Sequence, residues 1–473
     1  MIETSVFSSP TKNRNTYLLS GHSYLSFIHP ALKEDSEDEY YRKKYQYLKS
    51  KGFFKDQECF NNLRINPHFV KDSIVNMTQL VFEVTDACNL KCKYCAYGEF
   101  YEDYDVRYSK KLRTEQVKPL FDYLSDLWEN ESAESYNKTT YISFYGGEPL
   151  LNMSFIKDVV GYINSLNIRG KLFRYTMTTN AVLLDKYMDY LAKHKFMILI
   201  SLDGNSENNE YRVDFNGKNS FDRIIKNVDL LKKKYPDYFE KHVRFNSVLH
   251  NKNTVAGIYD FIHSKYSKIP SISELNNSGI RADKVAEFGR LYRSSESLYQ
   301  EENYKEIERE LFMNAYSYKD AVMFLHQYTG HVFKTYNGVL IDKKYKKTVP
   351  TGTCIPFSKK IFVTVNGKIL PCERIGQQFS LGKISEEGVE IDYDAVAEKY
   401  NKYYDSLENQ CSKCYRAPSC VQCLFYIHDI GNKPICHGFM DRSVFSKYIA
   451  ANMTFWEEHA EDYQKVMDEV IIN

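Results

Sequence analysis

No apolar run in this chain approaches the length of about 20 residues that a membrane-crossing helix needs. The opening stretch from Met1 to Asn15 is polar and lacks the hydrophobic segment of a secretion signal, so the expected location is the cytoplasm. A surplus of one charge is missing too. Lys and Arg number 63 against 62 Asp and Glu, for a net charge of +1. That balance removes the electrostatic case for a nucleic-acid or anionic-membrane partner. Internal repeats and low-complexity tracts are also absent. What is present is ordinary globular composition, 43% hydrophobic and 26% charged over 473 residues, enough for two or three domains. The 40 tyrosines are scattered and read as packing and surface. Eleven cysteines could staple a secreted chain, but ten fall into clustered spacings, which in a reducing compartment read as metal or redox sites. Only Cys59 stands apart, as an ordinary thiol.

The chain is organised around Thr85-Asp86-Ala87-Cys88-Asn89-Leu90-Lys91-Cys92-Lys93-Tyr94-Cys95, directly after an apolar run, Leu80 to Val84, that reads as a buried strand. Three thiolates on one loop can bind three irons of a cubane cluster and leave the fourth iron open to a ligand. The alternatives are a zinc loop or three unrelated core thiols, and C-x3-C-x2-C suits the closed tetrahedron of zinc poorly. A second set follows as Cys354-x12-Gly367-x4-Cys372, then Cys411-x2-Cys414-x5-Cys420-x2-Cys423, then Cys436. Seven thiols can hold one whole four-iron cluster and most of another; zinc-ribbon spacing is the alternative.

Residues 1-75 form a first unit. Thr16 to Leu19 and Tyr24 to Ile28 read as short strands around Ser20-Gly21-His22, and Glu34 to Lys51 as a helix. From residue 79 strands alternate with helices, as in parallel βα units. The expected strands are Leu80–Val84, Tyr141–Tyr145, Phe173–Thr178, Phe196–Leu202, Val243–Leu249 and a weakly marked sixth near Ile272. Thr114, Ser154, Asp185 and Ser220 mark helix starts. Residues 285-347 read as a polar helical bridge, 348-440 as a cysteine-rich domain, and 441-473 as a closing helix.

Parallel α/β folds bind ligands beyond the carboxyl ends of their strands. Gly146-Gly147-Glu148-Pro149 ends the second strand: two glycines let backbone approach a ligand, and Glu148 can accept from a cationic amine. Thr179 and Asn180 end the third strand and Ser201 the fourth. Arg212 follows, with a planar fork suited to a carboxylate, and Asn246 on the fifth is a weaker candidate.

These motifs resemble the radical S-adenosylmethionine superfamily, whose signature C-x3-C-x-aromatic-C places Tyr94 at the aromatic position. The resemblance implies a partial (β/α)6 TIM-like barrel over residues 76-284. It also implies a [4Fe-4S] cluster on Cys88, Cys92 and Cys95 whose open iron holds S-adenosyl-L-methionine, cleaved by one electron to a 5′-deoxyadenosyl radical. Gly146, Gly147, Glu148 and Pro149 match the segment that contacts the methionyl amine. Thr179 and Asn180 match a T-N-G segment with Ala181 where glycine is usual, and Ser201 and Arg212 match contacts to ribose and carboxylate. The second cysteine set resembles the SPASM domain. Cys354, Cys372 and Cys423 would hold one auxiliary cluster and Cys411, Cys414, Cys420 and Cys436 another, with one residue fewer than usual before Cys423. Glu373 occupies the position of a catalytic Asp in sulfatase-maturing relatives. Residues 1-75 weakly resemble the small winged-helix elements that hold a leader peptide; a simple N-terminal extension covering the barrel is the alternative.

The expected activity is oxidative maturation of a ribosomally made peptide, forming a thioether or carbon–carbon crosslink, with a precursor peptide and an electron donor such as flavodoxin or ferredoxin as partners. Formylglycine formation in a sulfatase is the rival within the class; a zinc-stabilised binding scaffold is the rival outside it.

Overall fold

The computed structural model describes residues 6–13, 15–20, 25–28, 38–51, 64–130, 139–166, 168, 170–328, 355–417 and 420–470. Cys59, Cys354 and the expected turn at Gly21-His22 lie outside them. The chain divides into two compact units. One comprises Ile65–Ala315 and Cys354–Tyr400; the other comprises Met1–Arg64, Tyr316–Thr353 and Asn401–Asn473.

The N-terminal strands β1 (Val6–Pro10), β2 (Thr16–Ser20) and β3 (Leu25–Ile28) form an antiparallel sheet, followed by helix α1 (Asp38–Ser50). The first of these strands carried no turn signal and was not expected.

The larger unit opens with α2 (Pro67–Val75), capped by Asn66, whose side chain accepts from the Phe69 amide. Six parallel strands follow with helices between them: β4 (Gln79–Thr85), α3 (Thr114–Asn130), β5 (Thr139–Gly146), α4 (Met153–Ser165), β6 (Leu172–Thr179), α5 (Leu184–Lys193), β7 (Met197–Ser201), α6 (Phe221–Lys234), α7 (Pro236–His242), β8 (Val243–Leu249), α8 (Val255–Tyr266) and β9 (Ser271–Glu274). They pair in the order β4-β5-β6-β7-β8-β9, so the parallel sheet stays open as a partial (β/α)6 barrel. The weakly marked sixth strand is real. Ser154 and Asp185 sit inside the first turns of α4 and α5, and do not cap them. Asn152 precedes α4 instead, and its amide donates to the Val84 and Leu112 carbonyls.

Side chains alternate across each strand. Phe82 packs against Phe121 of α3 and Phe155 of α4, so the even positions of β4 face the helices. The odd positions face inward, and there the sheet is polar: Gln79 donates to Ser143 (2.7 Å), which bonds Thr176 (2.6 Å). The register pairs Glu83 with Tyr145 on the same inner face.

Beyond β9 come α9 (Val285–Leu291) and α10 (Tyr304–Leu311), then α11 (Tyr316–Tyr328) in the smaller unit. The cysteine-rich segment returns to the large sheet. β10 (Lys360–Val363) pairs parallel with β4, and β11 (Lys368–Leu370), β12 (Gly382–Ser385) and β13 (Gly388–Glu390) extend it antiparallel. The exposed edge of β4 is thereby covered. α12 (Tyr393–Cys411) leads out. The expected closing helix is two, α13 (Arg442–Glu458) and α14 (Asp462–Glu469), with Asp441 capping the first. In the smaller unit Leu19, Phe324, Tyr328, Phe445, Ile449 and Met453 form one core.

Candidate active site

The cysteine loop leaves the carboxyl end of β4 and is pinned by its backbone. Lys91 and Lys93 donate their amides to the Val213 and Tyr211 carbonyls (2.7 and 3.1 Å), and Gly147 and Glu148 donate theirs to Thr85 and Ala87 (2.8 and 2.9 Å). Gly146, the last residue of β5, and Gly147 also serve the packing of the cysteine loop itself. Gly146 has φ +122°, and a Cβ there would overlap the Thr85 carbonyl oxygen; a Cβ on Gly147 would overlap that of Ala87. Their missing side chains let the β5 turn press on the cysteine loop itself.

Glu148 is buried at 1% exposure and caps the short turn begun by Pro149. One carboxylate oxygen accepts from the Leu150 amide (3.1 Å) and the Thr179 hydroxyl (2.7 Å), the other from the Asn180 amide (2.8 Å). Burial outweighs these donors and pushes its carboxyl up to about 7. A cation placed against it would recover that cost. Asn180 reaches the cysteine loop as well, donating to Asn89 Oδ1 (2.8 Å) with Cys88 Sγ at 3.7 Å. Ala181, where glycine is usual, has φ +60°, the left-handed geometry that makes glycine the easier residue there.

Arg212 does not present a free fork. Its Nε and Nη2 each lie 3.0 Å from the two carboxylate oxygens of Asp203, and its guanidinium sits 5.4 Å from the Tyr94 ring centre. Asp203, fully buried, also accepts from the Tyr94 hydroxyl and the Val248 amide. Burial works against its charge, but Arg212, His250 and Tyr94 hold its carboxyl at about 2. Tyr94, the aromatic of the motif, further stacks on His250 (5.5 Å) and meets Tyr211 edge-on. Asp203, two residues past Ser201, and His250 carried no sequence signal. Ser201 ends β7 beside Asn246 of β8.

The residues fit an iron–sulfur group. Burial pushes the Cys88 and Cys92 thiols up to about 11 and 12, so loading a metal must expel their protons. The Leu90 amide points at Cys88 Sγ (3.4 Å), the N–H···S contact that supports a ligating sulfur. Asp86 Oδ1 and Asn89 Nδ2 are enclosed without a hydrogen-bond partner, on the loop that would meet the group. Among the described residues no three or more His, Cys, Asp or Glu side chains close on a point tightly enough for a single metal ion. A cubane seats its thiolates further apart, one per iron.

On the β10 side, Cys372 takes an N–H···S contact from Arg374 (3.4 Å). Lys360 Nζ lies 3.0 and 2.9 Å from the two oxygens of Glu373, and this ammonium overcomes burial to keep the carboxyl below its usual range. Glu373 is therefore a paired, ionised acid. Burial pushes the Tyr145 hydroxyl up, and the charges of Glu373 and Cys95 add to that shift.

In the smaller unit Cys411, at the end of α12, is pushed up to about 12 by burial and then by Cys420, Cys414 and Cys436. These four thiols therefore share one neighbourhood. Met440 donates its amide toward Cys414 Sγ (3.4 Å), and Cys436 receives amides of Gly438 and Phe439. Of the other expected set, Cys354 lies outside the described residues, and Cys372 and Cys423 belong to different units.

Residues 82–263 match the family model of the radical SAM superfamily, and residues 354–415 that of SPASM, an iron-sulfur cluster-binding domain. The chain is 23% identical to the radical SAM cyclopropyl synthase TigE of Paramaledivibacter caminithermalis, over 94% of this chain and 84% of that one. It is 26% identical to a cysteine-type anaerobic sulfatase-maturating enzyme of Clostridium novyi, over 34% of this chain and 42% of that enzyme. In fold it is similar to the solved structure of native anSMEcpe with bound AdoMet and Cp18Cys peptide. The TM-score is 0.53 at 18% identity, covering 83% of this chain and 99% of that one. No helix among the described residues is long and apolar enough to cross a membrane.

Proposed function

From a chain that is a radical S-adenosylmethionine enzyme with a C-terminal SPASM domain, we propose an oxidative peptide maturase that forms a crosslink in a ribosomally made precursor. Held by Cys88, Cys92 and Cys95, a [4Fe-4S] cluster with S-adenosyl-L-methionine supplies hydrogen-atom abstraction from an unactivated carbon, and auxiliary clusters on the SPASM cysteines supply an acceptor for the second electron.

The chain's own residues divide the remaining work. Glu148, fixed by Leu150, Thr179 and Asn180, takes the methionyl ammonium, and the charge pair formed there offsets the burial of its carboxylate. Arg212 is aimed by Asp203 and meets the methionyl carboxylate with what its fork leaves over, Ser201 the ribose. Glu373, kept ionised by Lys360, accepts the proton released when a carbon–sulfur or carbon–carbon bond closes. The balance is one hydrogen atom to the adenosyl carbon, then one proton and one electron lost. Residues 1-75 grip the leader of the precursor, with flavodoxin or ferredoxin as reductant.

The observation that carries this reading is the parallel pairing of β10 with β4, which sets Lys360, and with it its partner Glu373, beside the strand that launches the first cysteine loop. The similarity to a sulfatase-maturating enzyme keeps formylglycine formation as the second reading. The test is anaerobic incubation with candidate precursor peptides, sulfatase peptides, S-adenosyl-L-methionine and reductant. Fragmentation mass spectrometry then reads the bond formed. Loss of two hydrogens with a new crosslink supports maturation; an aldehyde on cysteine or serine supports the rival. Product formed equally by a Cys88→Ala, Cys92→Ala, Cys95→Ala variant would end both.

A further inference from the structure

We propose that Arg107 is the tuning cation of the cluster held by Cys88, Cys92 and Cys95, a positioning residue whose fixed positive charge makes that cluster easier to reduce. The inference rests on reading that loop as a cluster site.

Arg107 lies in the irregular stretch between the cysteine loop and α3, and that stretch is tied down on both sides. Tyr108 donates its amide to Asp86 Oδ2 (2.9 Å), two residues ahead of Cys88, and Asp86 and Thr85 both donate to the Lys110 carbonyl. Asp105 accepts from Asn366 (3.0 Å) and Lys368 (2.7 Å). The guanidinium is stacked 4.0 Å from the centre of the Tyr97 ring. Its Nε and Nη2 are enclosed and have no hydrogen-bond partner. The nearest acid, Glu83, stands 3.9 Å from Nη2, which is an ion pair and too long for a hydrogen bond. Glu83 has its other oxygen engaged by the Val365 amide (2.9 Å), and burial disfavours its charged form. The cation is thus incompletely matched by the protein, and the ring it stacks on, Tyr97, stands two residues past Cys95 on the cysteine loop.

A buried donor without an acceptor costs free energy, and such a cost persists where a missing partner would remove it. Here the partner we assign is an anion held by the cysteine loop on which Arg107 packs. A cluster bound by thiolates is one, and it becomes more negative by one charge on reduction. A cation held in a low-dielectric wall favours that reduced state, and charge and hydrogen bonds near the sulfurs set cluster potentials.

The test is a redox titration of the anaerobically loaded full chain, followed by electron paramagnetic resonance. The first cluster is identified as the signal that S-adenosyl-L-methionine perturbs, and potentials are then measured without it. Arg107→Gln and Arg107→Met remove the charge, the latter keeping an apolar stem against Tyr97; Arg107→Lys keeps it. At one reductant poise, the ratio of reduced to oxidised cluster should fall about tenfold in the first two, a shift of about 59 mV for one electron. The lysine variant should stay near the parent. Failure of the glutamine and methionine variants to load iron while lysine loads would overturn the assignment, giving the charge to cluster assembly. Equal potentials in all three, or failure of all three to load, would overturn it too. A parent chain without any such signal would instead sink the cluster reading beneath it.

Discussion

Replacing Asp203 with asparagine is the sharpest test of how this site is built. The substitution keeps shape but leaves Arg212 a buried cation without its counter-charge, which costs about 3–5 kcal/mol. A second route gives a similar scale: holding the Asp203 carboxyl at about 2 against an ordinary 3.8 is worth roughly 2–3 kcal/mol. The chain has two tryptophans, Trp128 in the larger unit and Trp456 in the smaller. A Trp456→Phe background therefore lets fluorescence follow the larger unit alone through urea unfolding. Asp203→Asn should lower its unfolding free energy by about 3 kcal/mol. The double change Asp203→Leu with Arg212→Met should cost less than the two single changes added, because no buried charge is left unpaired. The contribution also has a pH signature. A depressed folded pKa stabilises above the unfolded value, so this share is lost as pH falls from about 4 towards 2. An Asp203→Asn midpoint equal to the parent's, or strict additivity in the double variant, would refute the reasoning.

Glu148 gives the opposite sign: its carboxyl is raised to about 7, so S-adenosyl-L-methionine binding should draw a proton off below that pH. Equilibrium dialysis of the cluster-loaded chain should show affinity about tenfold weaker at pH 6 than at pH 8, a dependence lost in Glu148→Gln. Gly147→Ala should separate the β5 turn from the cysteine loop, costing roughly 3 kcal/mol in urea unfolding and lowering bound iron. Ala181→Gly should be neutral or raise stability by up to about 1 kcal/mol, since relief of the left-handed strain outweighs the added freedom of the unfolded chain.

The barrel was legible because its strands and helices carry clean periods: the buried face of α3, from Val117 to Trp128, is the one its apolar spacing marks. The motif cysteines and Glu148 were legible because spacing and strand-end position are sequence properties. Pairing is not. Arg212 and Asp203 are nine residues apart on a loop, and nothing in their order says that the arginine's fork closes on the aspartate. Arg107 escaped for the same reason, in a stretch with no period to read. That Gly147 meets the Ala87 carbonyl was not legible, because a glycine announces close approach without saying to what.

β10 lies alongside β4, strand against strand, and this has a bearing on how such an enzyme could diversify. Lys360, which holds Glu373, is in register with Gln79 at the start of the strand that launches the cysteine loop. Backbone hydrogen bonds thus gauge the span between the cysteine loop and Glu373. New substrates would have to be accommodated in what projects from the sheet, while the ruler itself stays put.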